Sequence, residues 1–523
     1  MVDRQVHLIS KYLSIAMKIL SRLGLLAGIG LCLTALSVSA QDADYNRYYN
    51  NLPVEVRAAK TPVIPPRTVR LEDFGGVGDG ITLNTEAFAK AIKHLSELGG
   101  GHLVVGDGVW LTGPITMKSN IDLHVERNAL VVFSPDRNLY PVLPPDEGTI
   151  SKLVTAPINA SHESNFSITG EGVFDGNGEV WRPVKKMKFG EWEWKKFVNS
   201  GGTLSADGSI WYPTTANEEQ GQKRPRLLRL VGCERILLQG VTFQNSPSFH
   251  VNMFLCTDIV IDGINVRCPW NAQNGDGIDL SSCRRALIVN SAVDCGDDAL
   301  CLKSGVGEPG RKRGQTSDVL IENCTVFHGH GGFVIGSDEA GGMDRLLVRH
   351  CRFIDTDTGL RFKSGRDRGG VVENVYVEDV VMNDIDGEAI LFDMYYQEKP
   401  KLTGDVEPRP VTVDTPVFRN FHIKNVVCRE AGRAILFQGL PEMPLSDVTI
   451  EDCTINARHG VQINETDRLT ISNLRLEVAE GPTVGINNSR DITINNLMVV
   501  GEPLTTSVTG SRNGKLTLNG AKL

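Results

Sequence analysis

Asp276, the adjacent pair Asp297 and Asp298, His330, and Arg361 with Lys363 stand at or near the start of one recurring strand-like run, in four successive repeats. The runs read GIDLS, ALCLKS, GGFVIGS and LRFKS. If the repeats stack, Asp276 lies one repeat from the pair, and the three carboxyls occupy adjacent rungs. Carboxylates that close repel, so at least one holds its proton to higher pH. A proton-holding acid beside an ionised base is the division of labour that breaking a glycosidic bond requires. With a water lodged between them, the carboxyls would stand roughly 6.5–9.5 Å apart and the anomeric product would be inverted.

Neighbouring residues on a regular strand point to opposite faces. Asp297 and Asp298 therefore both reach a cleft only from the turn entering the strand, which Gly296 permits. The plainer role for paired aspartates in turns is to accept bonds from backbone amides. His330, in HGHGGFVIGS, sits near the Asp297 position one repeat later, where an imidazole can hold a charge or a proton for the carboxylates. Its flanking glycines are expected to leave room for a ligand. The i, i+2 spacing of Arg361 and Lys363 puts both cations on one face and Leu360 and Phe362 on the other. Such a pair suits an acidic sugar, and is also an ordinary feature of an exposed strand. GRKRG (310–314), Arg366 and Arg368 add positive charge nearby in sequence.

These residues need a scaffold that brings repeats into line. Units begin at Ile236, Ile259, Leu287, Val319, Leu346, Val375, Phe421, Val448, Leu469 and Ile492, at intervals of 21 to 32 residues with one of 46. Each holds an apolar strand, a polar turn and a second strand. Short strands with almost no helix between them exclude a βαβ sheet, whose crossovers need a dozen or more residues. They fit an all-β, single-stranded parallel β-helix, with coils about 4.8 Å apart and Asn245, Asn290 and Asn323 at turns. The stretch EAFAKAIKHLSEL places Phe88, Ala91, Ile92, Leu95 and Leu98 on one helical face, with Asn84 or Thr85 at its start, and is expected to cap the stack.

Residues 1–40 read as a signal peptide, with Met17 an alternative start, residues 41–66 as a polar tether, and 67–523 as the β-helix. Export to the periplasm or the exterior is expected, with no stable membrane insertion after cleavage. The net charge of -9 makes a nucleic-acid partner a poor fit, and a monomer is expected. Ten cysteines follow the leader; their places beside strands suit small core residues, so few or no disulfides are expected. Insertions near 181–226 and 394–416 interrupt the coils. They carry Trp181, Trp192, Trp194, Trp211, Tyr395 and Tyr396, which could stack on sugars or simply pack. Lys185, Lys186, Lys195 and Lys196 could meet a terminal carboxylate.

Asn274-Gly275-Asp276, Gly296-Asp297-Asp298, Gly329-His330-Gly331 and Arg361-Phe362-Lys363 resemble, in order, the four signature motifs of glycoside hydrolase family 28, the polygalacturonases. The resemblance covers roughly residues 68–400. It implies a right-handed parallel β-helix that cleaves pectin backbones with inversion and without a cofactor or metal. By resemblance, Asp297 is the general acid, Asp276 and Asp298 activate water, and His330 tunes the acid. Asn274, Arg361 and Lys363 bind a galacturonan, more naturally homogalacturonan than rhamnogalacturonan. Gly275 in place of Thr is expected to loosen Asp276, and Phe362 stands in place of Ile. The insertions favour exo attack from the non-reducing end over endo attack. A calcium-dependent pectate lyase, with the aspartates as ligands, and a non-catalytic glycan-binding β-helix are the readings from other classes.

Overall fold

The computed structural model describes residues 44–148, 152–215, 224–396, 398 and 404–523; the expected signal peptide lies outside them. Among these residues no helix is long and apolar enough to cross a membrane. Residues 44–52 belong to a small N-terminal unit. It holds a 3-10 turn, Tyr45–Tyr49, begun by Asp44, whose side chain accepts from the Asn46 N–H. Residues 53–523 form the second unit, a right-handed parallel β-helix with three ladders of strands.

Alternation decides what faces inward. One core column runs Leu230, Met253, Leu280, Leu302, Ile335, Phe362, Phe392, Phe437 and Ile463, paired rung by rung. A second runs Ile236, Ile259, Ala286, Val319, Leu346, Val375, Phe421, Val448, Leu469 and Ile492. The repeat alignment therefore holds at every unit but one, where Ala286 and not Leu287 faces the core. Leu287 pairs with Val260 on the opposite face, since a one-residue slip turns a side chain over. Asn245, Asn290 and Asn323 adopt left-handed turn conformations (φ 54°, 55° and 53°). The Asn323 amide donates to the Asn290 carbonyl oxygen at 2.8 Å, so the turns stack as a ladder.

Helix α1 (Thr85–Glu97) follows Asn84 and buries Ala87, Phe88, Ala91, Ile92 and Leu95 against the first coils. Leu98 lies beyond its end and is exposed. The segment expected as a free tether is tied down over its second half. Arg57 pairs with Asp318 at 2.7 Å, the Lys60 N–H donates to Asp258 at 3.1 Å, and Val63 exchanges two hydrogen bonds with Asn165, both of 2.7 Å. The ten described cysteines are buried and free, in line with their reading as core residues.

The first insertion folds on itself. Val184–Lys185, Thr203–Leu204 and Ile210–Tyr212 make a three-stranded antiparallel sheet, flanked by helix α2 (Glu191–Asn199). Trp181, Trp194 and Trp211 are buried, and Trp192 alone of the four is exposed. In the second insertion Tyr395 joins the core, while Gly404 exchanges two hydrogen bonds with Asn487, both of 3.0 Å. Residues Gly307–Arg313 form helix α3. Its Arg311 pairs with Asp414 at 2.7 Å, Arg366 with Glu442 at 2.7 Å, and Arg368 with Asp338 at 2.8 Å. Much of the basic charge expected near the site is thus met by neighbouring carboxylates.

Phe362 continues an aromatic column. Its ring lies 6.1 Å from Phe333, 4.7 Å from Phe392 and 5.2 Å from Phe421, and Phe392 stacks on Phe437 at 4.9 Å. The larger side chain replaces isoleucine where phenylalanines above and below can meet it. Phe362→Ala should cost roughly 3–5 kcal/mol, read as a lowered urea midpoint with an unchanged slope.

Candidate active site

Five cleft strands position the chemistry: β1 (Val251–Phe254), β2 (Ile278–Ser281), β3 (Asp298–Lys303), β4 (Gly331–Ile335) and β5 (Leu360–Lys363). Asp276 precedes β2, Asp297 stands on the turn into β3, and His330 stands before β4, as the turn argument requires. Ile278 pairs with Leu300, so Asp276 and Asp298 occupy the same position on adjacent rungs. One carboxylate oxygen from each of Asp276, Asp297 and Asp298 lies within 4.8 Å of one from each of the others. Their nearest oxygens are close enough to share one water.

Asp276 and Asp298 each meet lysine or arginine, and Asp297 meets an imidazole. Lys303, on β3, bonds Asp276 at 3.1 Å and also Asp279 of β2. Asp298 accepts from Arg361 at 3.0 Å and from Lys363 at 2.7 Å. Asp297 faces His330 Nδ1 at 3.2 Å, and His330 Nε2 lies 3.7 Å from Asp357. Exposure separates the roles: the Asp297 side chain is 20% exposed and Asp276 and Asp298 are 4% each. Asp297 is the carboxyl that reaches the cleft surface, and Asp276 Oδ1 is buried and without a partner among the described residues.

The expected split in proton affinity is present, with the raised member elsewhere than expected. Burial raises Asp276 well above the carboxylate range, the nearby carboxylates adding to it and Lys303 opposing. Burial likewise raises Asp279, against Lys303. Burial works to raise Asp297 too, but the His330 hydrogen bond and the charges of His330, Lys363 and Lys303 outweigh it and hold Asp297 low. Asp298 is held down against burial by Lys363 and Arg361.

Several expectations change in detail. Lys363 is not a free cleft cation: it is buried, bonded to Asp298, with the Tyr396 ring 5.2 Å from Nζ. Asn274 Oδ1 accepts from Arg224 at 2.8 Å, so it braces the turn. A Cβ at Gly275 would come 3.0 Å from the Ala272 Cβ, so this glycine lets loop 268–275 close rather than loosening Asp276. The glycines after His330 serve packing: a Cβ at Gly331 would meet Arg361 at 3.2 Å, and one at Gly332 the Phe353 ring at 2.3 Å. The acidic trio already contacts Lys303, Arg361 and Lys363, three cations that a calcium ion would have to displace; the set does not fit a metal site.

Asp279 and Lys303 escaped the motif reading. Their signal is the alternation itself: Asp279 is two residues before Ser281 on the cleft face, and LCLK aligns with LRFK so that Lys303 matches Lys363. Lys188 also escaped it. It extends from the first insertion to stand 5.9 Å over the exposed Trp270 ring. Burial lowers its ammonium, and Asp297 and Asp357 oppose that. Of the insertion's lysines, Lys188 is thus one whose charge meets those of Asp297 and Asp357.

The family model for glycosyl hydrolases family 28 matches residues 184–460. A probable polygalacturonase of Vitis vinifera is 29% identical over 398 residues, 74% of each chain. An exo-poly-alpha-D-galacturonosidase of Dickeya chrysanthemi is 26% identical over 71% of this chain and 64% of its own. The crystal structure of a hyperthermoactive exopolygalacturonase from Thermotoga maritima superposes with a TM-score of 0.67 at 31% identity, covering 80% of this chain and 94% of that one. The family match and these relatives make the protein a glycoside hydrolase. The chain belongs to glycosyl hydrolases family 28.

His250, before β1, fixes Asp276 from below. Its Nδ1 donates to the Asp276 carbonyl at 2.9 Å, and its Nε2 accepts from the Ser246 N–H at 3.3 Å. Burial pushes its pKa from the ordinary 6.5 to about 4. The folded protein therefore keeps His250 neutral where the unfolded chain takes up a proton. Stability present above pH 6.5 should be lost as pH falls from 6.5 to about 4. The loss should total about 3 kcal/mol. Urea midpoints measured across this window should show the slope, and His250→Asn should flatten it.

Proposed function

We propose that the enzyme hydrolyses α-1,4 bonds between galacturonate residues, with Asp297 as general acid and Asp276 and Asp298 holding the attacking water. The observation that carries this reading is the tight trio in which Asp297 alone is open to the cleft while the other two are held by cations. A carboxyl at the surface can meet a glycosidic oxygen, while Asp298, held ionised below it by Lys363 and Arg361, can serve as the base. The unpartnered Asp276 Oδ1 is the natural acceptor for the water. Asp298 has both oxygens engaged, which favours a water nucleophile and inversion over a covalent intermediate. Binding an anionic substrate displaces water and brings negative charge beside Asp297, and both raise its proton affinity.

We further propose exo attack from the non-reducing end. Two observations support it: Lys188 of the first insertion stands over Trp270 of loop 268–275 and feels the charge of Asp297, and relatives of this chain carry exo activity in their names. An N-terminal leader would export the enzyme to meet polymer outside the cytoplasm. A time course on polygalacturonate with product sizing and anomeric NMR tests the proposal. Early monomer or dimer with little loss of viscosity, and an inverted anomer, are expected. An early ladder of oligomers overturns exo attack, and a retained anomer overturns the water mechanism.

His330 supplies a pH test. Its hydrogen bond lowers Asp297, so His330→Gln should raise the pKa of the acid. Activity that needs a protonated Asp297 should then persist to higher pH. The descending limb of the kcat/KM profile should move up in pH while the rate at its plateau falls; an unmoved limb would show that Asp297 is not the acid.

A further inference from the structure

Arg226, in RPRLLRLV, occupies the catalytic column two rungs before Asp276. Leu228 pairs with Val251, Val251 with Ile278, and Ile278 with Leu300. Two residues earlier on each rung stand Arg226, Phe249, Asp276 and Asp298. The backbone bonds agree: Leu227 N–H donates to Phe249 O at 3.0 Å, His250 N–H to Asp276 O at 3.0 Å, and Gly277 N–H to Asp298 O at 2.9 Å.

The cations around it are occupied. Lys303 bonds Asp276 and Asp279, and Arg361 and Lys363 bond Asp298. Arg229 holds Asp146 at 2.6 and 2.7 Å, and Arg224 donates to Pro247 O, Gln273 O and Asn274. Arg226 makes no ion pair or hydrogen bond with any described residue, and its Nε is buried without a partner. Its guanidinium stands 5.5 Å from the Phe249 ring, which also carries Lys303 at 4.6 Å. An unpaired, half-buried guanidinium costs stability in the empty protein, because its desolvation is not offset. A planar fork left open beside a sugar-cleaving site is suited to a carboxylate, which it would bind with two parallel hydrogen bonds.

We infer that Arg226 is a specificity-determining residue that binds the carboxylate of the galacturonate lying on the N-terminal side of the scissile bond. Arg361 lies on the other side of the carboxylates, beyond β4. The contact asks for a free acid group on that flank of the bond, a uronate rather than its ester or a neutral sugar. This rests on the galacturonan reading above.

The test uses oligogalacturonides methyl-esterified at a single residue, on one or the other side of the bond that is cut. The wild-type enzyme should prefer the free acid on the Arg226 side of the bond. Arg226→Gln should lose roughly 10- to 100-fold in kcat/KM on the free acid, the range of a charge-assisted contact. It should lose the preference at one position only, and Arg226→Lys should restore part of it. Unchanged acid-to-ester ratios at both positions overturn the assignment. Equal losses on acid and ester substrates also overturn it, since they mark a merely structural residue. Failure of the wild type to release reducing ends from any galacturonan overturns the underlying reading as well, which separates the two.

Discussion

In-register stacking places side chains at equivalent positions of successive coils about 4.8 Å apart, and it does so whether or not they attract. In the core this constraint is harmless, and it produces the phenylalanine column through Phe362, Phe392 and Phe437. On the cleft face it forces Asp276 over Asp298, with Asp279 and Asp297 beside them, in partly dry surroundings. Four carboxylates in such a place would repel and take up protons. The structure answers with cations from the same strands: Lys303 from the rung of Asp298, and Arg361 and Lys363 from two rungs beyond. The lysines at the ends of LCLK and LRFK are therefore part of what lets the acids coexist.

This pairing separates three aspartates that look alike in sequence. Asp298 and Asp276 are sunk and clamped, the first held ionised by two cations, the second raised by burial. Asp297 stays at the surface on a histidine that also approaches Asp357. The difference comes from where each lies relative to the strand start, one residue being enough to move a carboxyl from the cleft floor to its rim.

The repeat, the turn placement of the aspartate pair, the outward face of LRFK and the fate of the cysteines were all legible in sequence, because each follows from a period of two or from the repeat length. Ala286 was misplaced because Leu287 is the more apolar neighbour, and hydrophobicity alone cannot set register by one residue. Lys188 and Arg226 were illegible for a different reason. They lie in or beside an insertion that has no repeat to align with, so only three-dimensional placement joins them to the column. The insertion tryptophans were visible as aromatic residues, but their burial depended on a small sheet whose pairings no periodicity announces.

The segment from Arg57 to Val63 runs against the grain of the coils, touching turns at Asp318, Asp258 and Asn165. Stacked repeats ordinarily interact only with their neighbours, so they can fray from an end one unit at a time. A strand of chain fastened across several coils couples units that have no other contact. Loosening any one of the tied turns then carries an entropic and electrostatic cost shared by the others. The coils around the carboxylates are thereby tied to those nearer the capping helix by one segment fastened at Asp318, Asp258 and Asn165.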